Sequence, residues 1–496
     1  MIKGRMMRTA AFLFALAALH ATVCLRAQSG EDVGDDAVTT QHSIHLREKT
    51  LDYSAHAGFL SLRDAQMKMH ARMFYVSYTA GKPSDHRPLI FIWNGGPGSN
   101  AAMLELAAIG PRRLSSGTAG NASLLDNEES WLSFADLVFI DPVYAGYSYA
   151  ATAEDQKQFL SDRGDAESFA EFIRIYRAHY QAQQQPVYLV GESYGSYRAL
   201  GVADVLGRRG LSVAGLFLIS NLYNFSHGAE LDAVFLLPNF TAAAFAHGKL
   251  TDNMQSNLQQ AVHASEKFSL EQYLPALAAG DRLAADAKTK LADELANLTG
   301  VSAATWLAHD LRIDESEFAT LLLGAQSGDY AAHYDTRMTG HAQPGAPYNV
   351  SQDPSLKFGV ADAVEPYLRN ELGWKRDAFY AGPWGGRWPT PQAPRGDWTA
   401  ILWDWSTESR DRSPLLSSIL ERNPNLHMVI ANGLFDFATP FAASEYDVAH
   451  AGLTPEQKAR IRLIRYESGH SPYTSTAERV RLMNDAHALI TATAGK

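Results

Sequence analysis

The sequence predicts an α/β protein: a central, mostly parallel sheet, interrupted by an inserted and largely helical cap. Three observations carry this reading. Short apolar runs, LIFIW at 89–93, LVFID at 137–141 and VYLV at 187–190, have strand length and almost no polar face, the pattern of strands buried on both sides. Stretches of helical period lie between them, so strand and helix alternate over residues 71–220. That rhythm stops after Asn221 and resumes near Leu426, with a segment rich in Ala, Leu, Gln and Lys between.

Composition and charge bound the rest. With 46% hydrophobic and 20% charged residues, the 496-residue chain is a folding sequence and not a disordered one. A net charge of −11, with no run of Lys and Arg, argues against a nucleic-acid surface. Lys3, Arg5 and Arg8 precede an apolar run at 10–19, and small residues lead to a cleavage point after Ala27. The run is too short to span a bilayer, so residues 1–27 read as a signal peptide and the protein as periplasmic or secreted. No other stretch is apolar and long enough to cross a membrane. Cys24 is the only cysteine. Its setting, Ala-Thr-Val-Cys, is a weak match to a lipoprotein acylation box, because valine is larger than the residue usually found there. Removal of the signal leaves no cysteine, so the exported chain relies on its core. That favours a bacterial periplasmic or secreted protein over a eukaryotic vacuolar one. No cofactor and no metal are expected.

In chain order, residues 28–42 are polar and acidic and read as a flexible leader. The first part of the core is assigned to 43–224. Residues 43–47 and 51–62 alternate, ARMFYVSY at 71–78 is a strand signal, and 89–93 and 137–141 are buried strands. Residues 99–109 and 166–180 read as helices. The cap is assigned to 225–400, helical to about 340 and irregular over the Pro-, Gly- and Trp-rich stretch beyond. The second part of the core, 401–496, holds strands at 426–431 and 461–466 and a closing helix at 480–491. Asn121, Asn224, Asn239, Asn297 and Asn349 match the N-glycosylation pattern, which is common by chance.

The chemistry centres on PVYLVGESYGSY, residues 186–197. A strand, Gly191-Glu192-Ser193-Tyr194-Gly195 and then a helix form the pattern of a nucleophile elbow. Glycines flank the serine because a side chain there would clash across so tight a turn. The turn lifts the Ser193 hydroxyl to the end of the sheet, with the Tyr194 amide at a helix start where it can stabilise an oxyanion. Asn94-Gly95-Gly96-Pro97-Gly98 follows another central strand, and its free amides suit the second half of an oxyanion site. The same residues would also make a plain tight turn. A serine nucleophile needs a histidine base and a carboxylate to orient it. Asp436 and His470 each follow a predicted strand and stand in the order serine, acid, histidine.

With these residues placed, the chain resembles the serine carboxypeptidase family of α/β-hydrolases. IFIWNGGPGS looks like the family's glycine-rich block, FIDPVYAGYSY like its next strand and loop, and NGLFDFATP and YESGH like its acid and histidine blocks. VGESYGSYRA is similar to the elbow of its bacterial branch. The resemblance implies the α/β-hydrolase fold and carboxypeptidase action on peptides. It makes Ser193 the nucleophile, His470 the general base and Asp436 its orienting acid, and gives the oxyanion amides to Gly96 and Tyr194. It implies too that Asn94 and Glu192 bind the substrate's C-terminal carboxylate. Glu192 must then be protonated, since two carboxyl groups hold one another only by sharing a proton. The chain departs from the family at Ala108, where many relatives carry a second Glu; Glu105 lies one helical turn earlier. Ser99 stands where the family has Cys, and Ser471, often Met, would line the pocket for the released residue. An esterase or acyltransferase on the same scaffold is the alternative, and a catalytically silent binding protein the third reading.

Overall fold

The computed structural model describes residues 36–47, 49–81, 87–115, 123–324, 326–343, 348–349, 352–356, 359–378, 380–381, 403–406 and 409–493. Residues 1–27, expected to be a signal peptide, lie with Cys24 outside the described residues. Ten strands make one sheet: β1 Ala37–Leu46, β2 Lys49–Arg63, β3 Met69–Thr79, β4 Leu89–Trp93, β5 Asp136–Ile140, β6 Tyr149–Ala150, β7 Val187–Glu192, β8 Gly215–Ile219, β9 His427–Gly433 and β10 Ile461–Tyr466. Their spatial order is β1-β2-β3-β5-β4-β7-β8-β9-β10, with β6 beside β3. The pairs β1–β2, β2–β3 and β3–β5 are antiparallel. From β5 through β4, β7, β8 and β9 to β10 every pair is parallel.

The apolar runs explain the parallel half. Side chains of a strand alternate between faces. In β4, Ile90 and Ile92 join a cluster with Val190 and the last helix, Thr476–Thr493, through Leu482 and Leu489. Leu89, Phe91 and Trp93 point to the other cluster, with α1 (Asp162–His179) and α2 (Tyr194–Arg208). Both faces are covered by helices, so no polar face is needed. Cross-strand register pairs Trp93 with Gly191, Ile219 with Glu192 and Ile219 with Ala431. The loops after β4, β7, β8 and β9 therefore emerge together at one carboxyl edge, where such folds place their sites.

Between β8 and β9 the chain forms α3 (Ala229–Ala246), α4 (Leu258–Phe268), α5 (Ala285–Thr299) and α6 (Glu315–Leu323). These enclose an apolar cluster of their own around Leu237, Phe240, Leu295, Trp306 and Phe318, which also takes in Phe437 from the loop after β9. Among the described residues α3 alone is long and apolar enough to cross a membrane, and most of it is buried inside the protein. Asn239, on α3, is fully buried and hydrogen-bonded, so its glycosylation pattern cannot be used.

Three expectations need correction. The flexible leader was placed at 28–42, but β1 starts at Ala37, six residues inside it. Polar Thr, Gln, Ser and His residues alternate along β1 because it is an edge strand, exposed on one side and paired with β2 on the other. The expected helix at 99–109 is wound as a π-turn over Leu104–Ile109, closed by the Gly110 amide donating to the Glu105 carbonyl at 3.0 Å. The cap does not hold everything from 225 to 400. A two-stranded ribbon, Asp329–Ala331 with Thr339–His341, follows the helices. Beyond it α7 (Val360–Asn370), Trp374 and Tyr380 return to the sheet, packing with Phe59 and Phe74.

Candidate active site

β7 ends at Glu192, and α2 begins at Tyr194. Ser193 between them has φ 59° and ψ −130°, backbone angles that an L-residue adopts only under constraint. The constraint is visible: the Ser193 amide donates to Ile219 O at 2.9 Å, and the Ser196 hydroxyl donates to Ser193 O at 2.6 Å. A Cβ on Gly191 would lie 2.1 Å from Gly195 O, so that position requires glycine, and a Cβ on Gly195 would press at 3.0 Å on both Asn94 O and the Trp93 ring. The Asn94-Gly95-Gly96 loop presses against this turn. A Cβ on Gly95 would lie 2.7 Å from both Glu192 O and Tyr194 N, and Gly96 has φ +109°. Arg198, wholly buried, holds the loop by donating from Nη1 to Asn94 O and from Nε to Asp165 Oδ2, each at 2.7 Å. The Tyr194 ring packs on Trp403, leaving its backbone amide at the helix start.

Asp436 and His470 come from the loops after β9 and β10. His470 Nδ1 and Asp436 Oδ2 are 2.8 Å apart, and Asp436 is completely buried. Asp436 also accepts from the Ala438 amide at 2.9 Å and the Thr439 hydroxyl at 2.6 Å. Burial disfavours its charge, but the His470 charge and these bonds outweigh that and hold its pKa below the ordinary carboxylate value. Burial likewise opposes charge on His470; the Asp436 carboxylate, by charge and hydrogen bond, and Glu192 outweigh it and raise the imidazole pKa. A carboxylate at Nδ1 fixes the proton there and leaves Nε2 as the basic nitrogen. The two loops are joined before they reach the site: Leu434 N donates to Tyr466 O and Phe435 N to Ser468 O, both at 3.0 Å. The His470 amide donates to Tyr334 O at 2.6 Å, and its carbonyl accepts from the Ser220 hydroxyl.

Asn94, Gly96, Glu192, Ser193 and His470 line one cavity of about 70 Å³. Glu192 is buried within it and accepts from the Asn94 side-chain amide, from the Tyr473 hydroxyl at 2.8 Å and from the Ser471 hydroxyl at 3.2 Å. Burial raises its pKa, against the opposing pull of His470 and these donors. Tyr473 was missed in the sequence. Its only signal is position, three residues beyond His470 in Gly-His-Ser-Pro-Tyr. Glu105 does not enter the cavity. It is buried in the sheet's core, where Tyr78 donates to it at 2.5 Å and burial pushes its pKa up to about 8. Among the described residues no group of His, Cys, Asp or Glu could hold a metal ion.

The fold and this geometry define an α/β-hydrolase with a buried His–Asp pair and a strained serine at one sheet edge. Known proteins are similar. Residues 46–200 match the serine carboxypeptidase family model, a stretch that contains the Asn94 loop and the Ser193 elbow but ends before Asp436 and His470. Serine carboxypeptidase-like 29 of Arabidopsis thaliana is 30% identical over 150 residues, 30% of each protein. The pheromone-processing carboxypeptidase KEX1 of Arthroderma otae is 30% identical over 171 residues, 34% of this chain and 25% of that one. The matches thus span about a third or less of these relatives' own length. Among solved structures, the prohormone-processing carboxypeptidase KEX1ΔP of Saccharomyces cerevisiae superposes with a TM-score of 0.52 at 17% identity, covering 88% of this chain and 91% of the other. That likeness establishes the α/β-hydrolase fold.

Proposed function

We propose that the protein is a serine carboxypeptidase, releasing C-terminal residues from peptides through an acyl-enzyme on Ser193. The observation that carries this reading is the Glu192 carboxyl: buried beside Ser193, raised in pKa by burial, and held by Asn94, Ser471 and Tyr473. A neutral carboxyl group can donate to a carboxylate and so recognise a free C-terminus. In this reading Ser193 Oγ attacks the last peptide carbonyl while His470 Nε2 takes its proton. Asp436 stabilises the imidazolium, and the amides of Gly96 and Tyr194 receive the oxyanion. The C–N bond then breaks, His470 returns the proton to the leaving amine, and water, activated by the same imidazole, hydrolyses the acyl-enzyme. The helices between β8 and β9 pack against the acid loop through Phe437, and the segment after them, with Tyr334, Met338 and Leu356, shapes the peptide site. The N-terminal signal pattern supports export to the periplasm or beyond. Placement in the family's bacterial branch rests on the elbow sequence and the lone cysteine; the relatives above are plant and fungal.

The test is a mixed peptide library, each member as free acid and as amide, with products read by mass spectrometry. Free acids should lose one residue at a time and amides should persist, and Ser193→Ala should lower the rate by several orders of magnitude. Equal cleavage of acids and amides, or of simple esters alone, would transfer the site to an esterase or acyltransferase.

A further inference from the structure

The cavity at Ser193 has a larger neighbour. Ser471 and Tyr473 line both, and the second measures about 290 Å³, room for a long side chain and several waters of roughly 30 Å³ each. Those two residues are also the ones that hold Glu192, at 3.2 and 2.8 Å. The wall between the cavities is therefore the shelf on which, in the carboxypeptidase reading, a substrate's C-terminal carboxylate rests. The side chain of that same residue has the larger cavity directly beyond it.

The charges lining the larger cavity are Arg113, Asp335 and Arg479. Two of them are already matched. Arg337 grips Asp335 with a two-pronged pair at 2.6 and 2.8 Å. Arg479 donates to Glu129 at 3.2 Å and to Tyr473 O at 3.1 Å. Arg113 differs. It forms no ion pair among the described residues; Nη1 makes a long 3.4 Å bond to Leu114 O, and Nε is buried with no acceptor. Residues 116–122, which follow it, contain no Asp or Glu. A guanidinium partly withdrawn from water, with donors unmet, is completed by a planar carboxylate that takes two of them.

We propose that the larger cavity receives the side chain of the released residue, and that Arg113 selects peptides ending in glutamate or aspartate. This rests on the carboxypeptidase reading. The experiment uses peptides identical but for the last residue, Glu, Gln, Leu or Lys, with a second set in which the same changes are made one residue earlier. Wild type should favour terminal Glu over the isosteric Gln in kcat/KM by on the order of tenfold or more. Arg113→Gln should bring that ratio within about twofold of unity, Arg113→Lys should retain part of it, and Arg113→Glu should invert it toward Lys. Because the readout is a ratio within one preparation, poor folding of a variant does not imitate the effect. Release of Leu without preference for Glu over Gln overturns the proposal and leaves the carboxypeptidase reading standing. A preference that follows the penultimate residue, or survives in Arg113→Gln, overturns it as well. Failure to release any terminal residue overturns both.

Discussion

Replacing Glu192 by glutamine should flatten the alkaline side of peptide hydrolysis. Burial lifts the Glu192 pKa above 4.5, and the form able to hold a substrate carboxylate is the protonated one. Recognition therefore weakens as pH rises through the Glu192 pKa. One required proton costs about tenfold in kcat/KM for each pH unit beyond that pKa, so wild type should fall steadily on the alkaline side as pH is raised toward about 8. Glutamine offers a donor at every pH and fits the same partners, Asn94, Ser471 and Tyr473; the variant should change by less than about threefold over that range. The assay is kcat/KM against pH for a free-acid peptide and for its amide. The amide lacks the carboxylate, and its alkaline limb should be alike in both proteins. If the glutamine variant keeps the wild-type alkaline fall on free acids, Glu192 does not read the C-terminus.

Two further outcomes follow from the packing around the site. Glu105, with a folded pKa of about 8 against an ordinary 4.5, stabilises the fold below the ordinary value, and this is lost as pH rises through about 8; Glu105→Gln should remove that dependence and gain on the order of 3 kcal/mol relative to wild type near neutral pH, read from denaturant midpoints. Parallel loss of turnover across all pH would instead put Glu105 in the chemistry. Asn239 donates to Leu434 O at 3.1 Å and to Asp436 O at 2.9 Å; Asn239→Ala should cost about 1–3 kcal/mol and lower kcat by loosening the acid loop, and a variant with wild-type turnover would show that α3 does not support Asp436.

The parallel half of the sheet was legible because strands buried on two faces must be apolar throughout, as 89–93 and 187–190 are. The elbow was legible because its tight turn excludes a side chain at 191 and leaves little room for one at 195. Asp436 and His470 are picked out by chain order and strand ends, and the structure brings them to 2.8 Å. What escaped has a common cause: it depends on a partner far along the chain. β1 reads as polar leader until β2 is beside it. The stretch around α7 has the composition of a loop, yet Trp374 lies against Phe59 and Phe74, some 300 residues earlier, with ring centroids 5.5 and 5.3 Å apart. Tyr473 has no motif of its own; it matters because Glu192, 281 residues away, accepts its proton at 2.8 Å.

The pairing of β8 with β9, Ile219 beside Ala431, bears on how such a protein can change. More than two hundred residues leave the sheet and come back to it on adjacent strands, whose axes are separated by only about 4.8 Å. The closure cost of such an excursion grows slowly, by about 0.6 kcal/mol for each doubling in length, so the length of the insertion scarcely matters to the sheet beneath. Helices can be lengthened, lost or exchanged there while the loops bearing Ser193, Asp436 and His470 stay in register. Among the tethers that resist such exchange is Asn239, whose amide grips the backbone of the acid loop from within the insertion, beside the backbone bonds that His333 and Thr336 make to Phe437 and Phe435. A grafted cap that keeps these contacts preserves the geometry of the loop bearing Asp436; one that omits them has to rebuild the grip from its own residues.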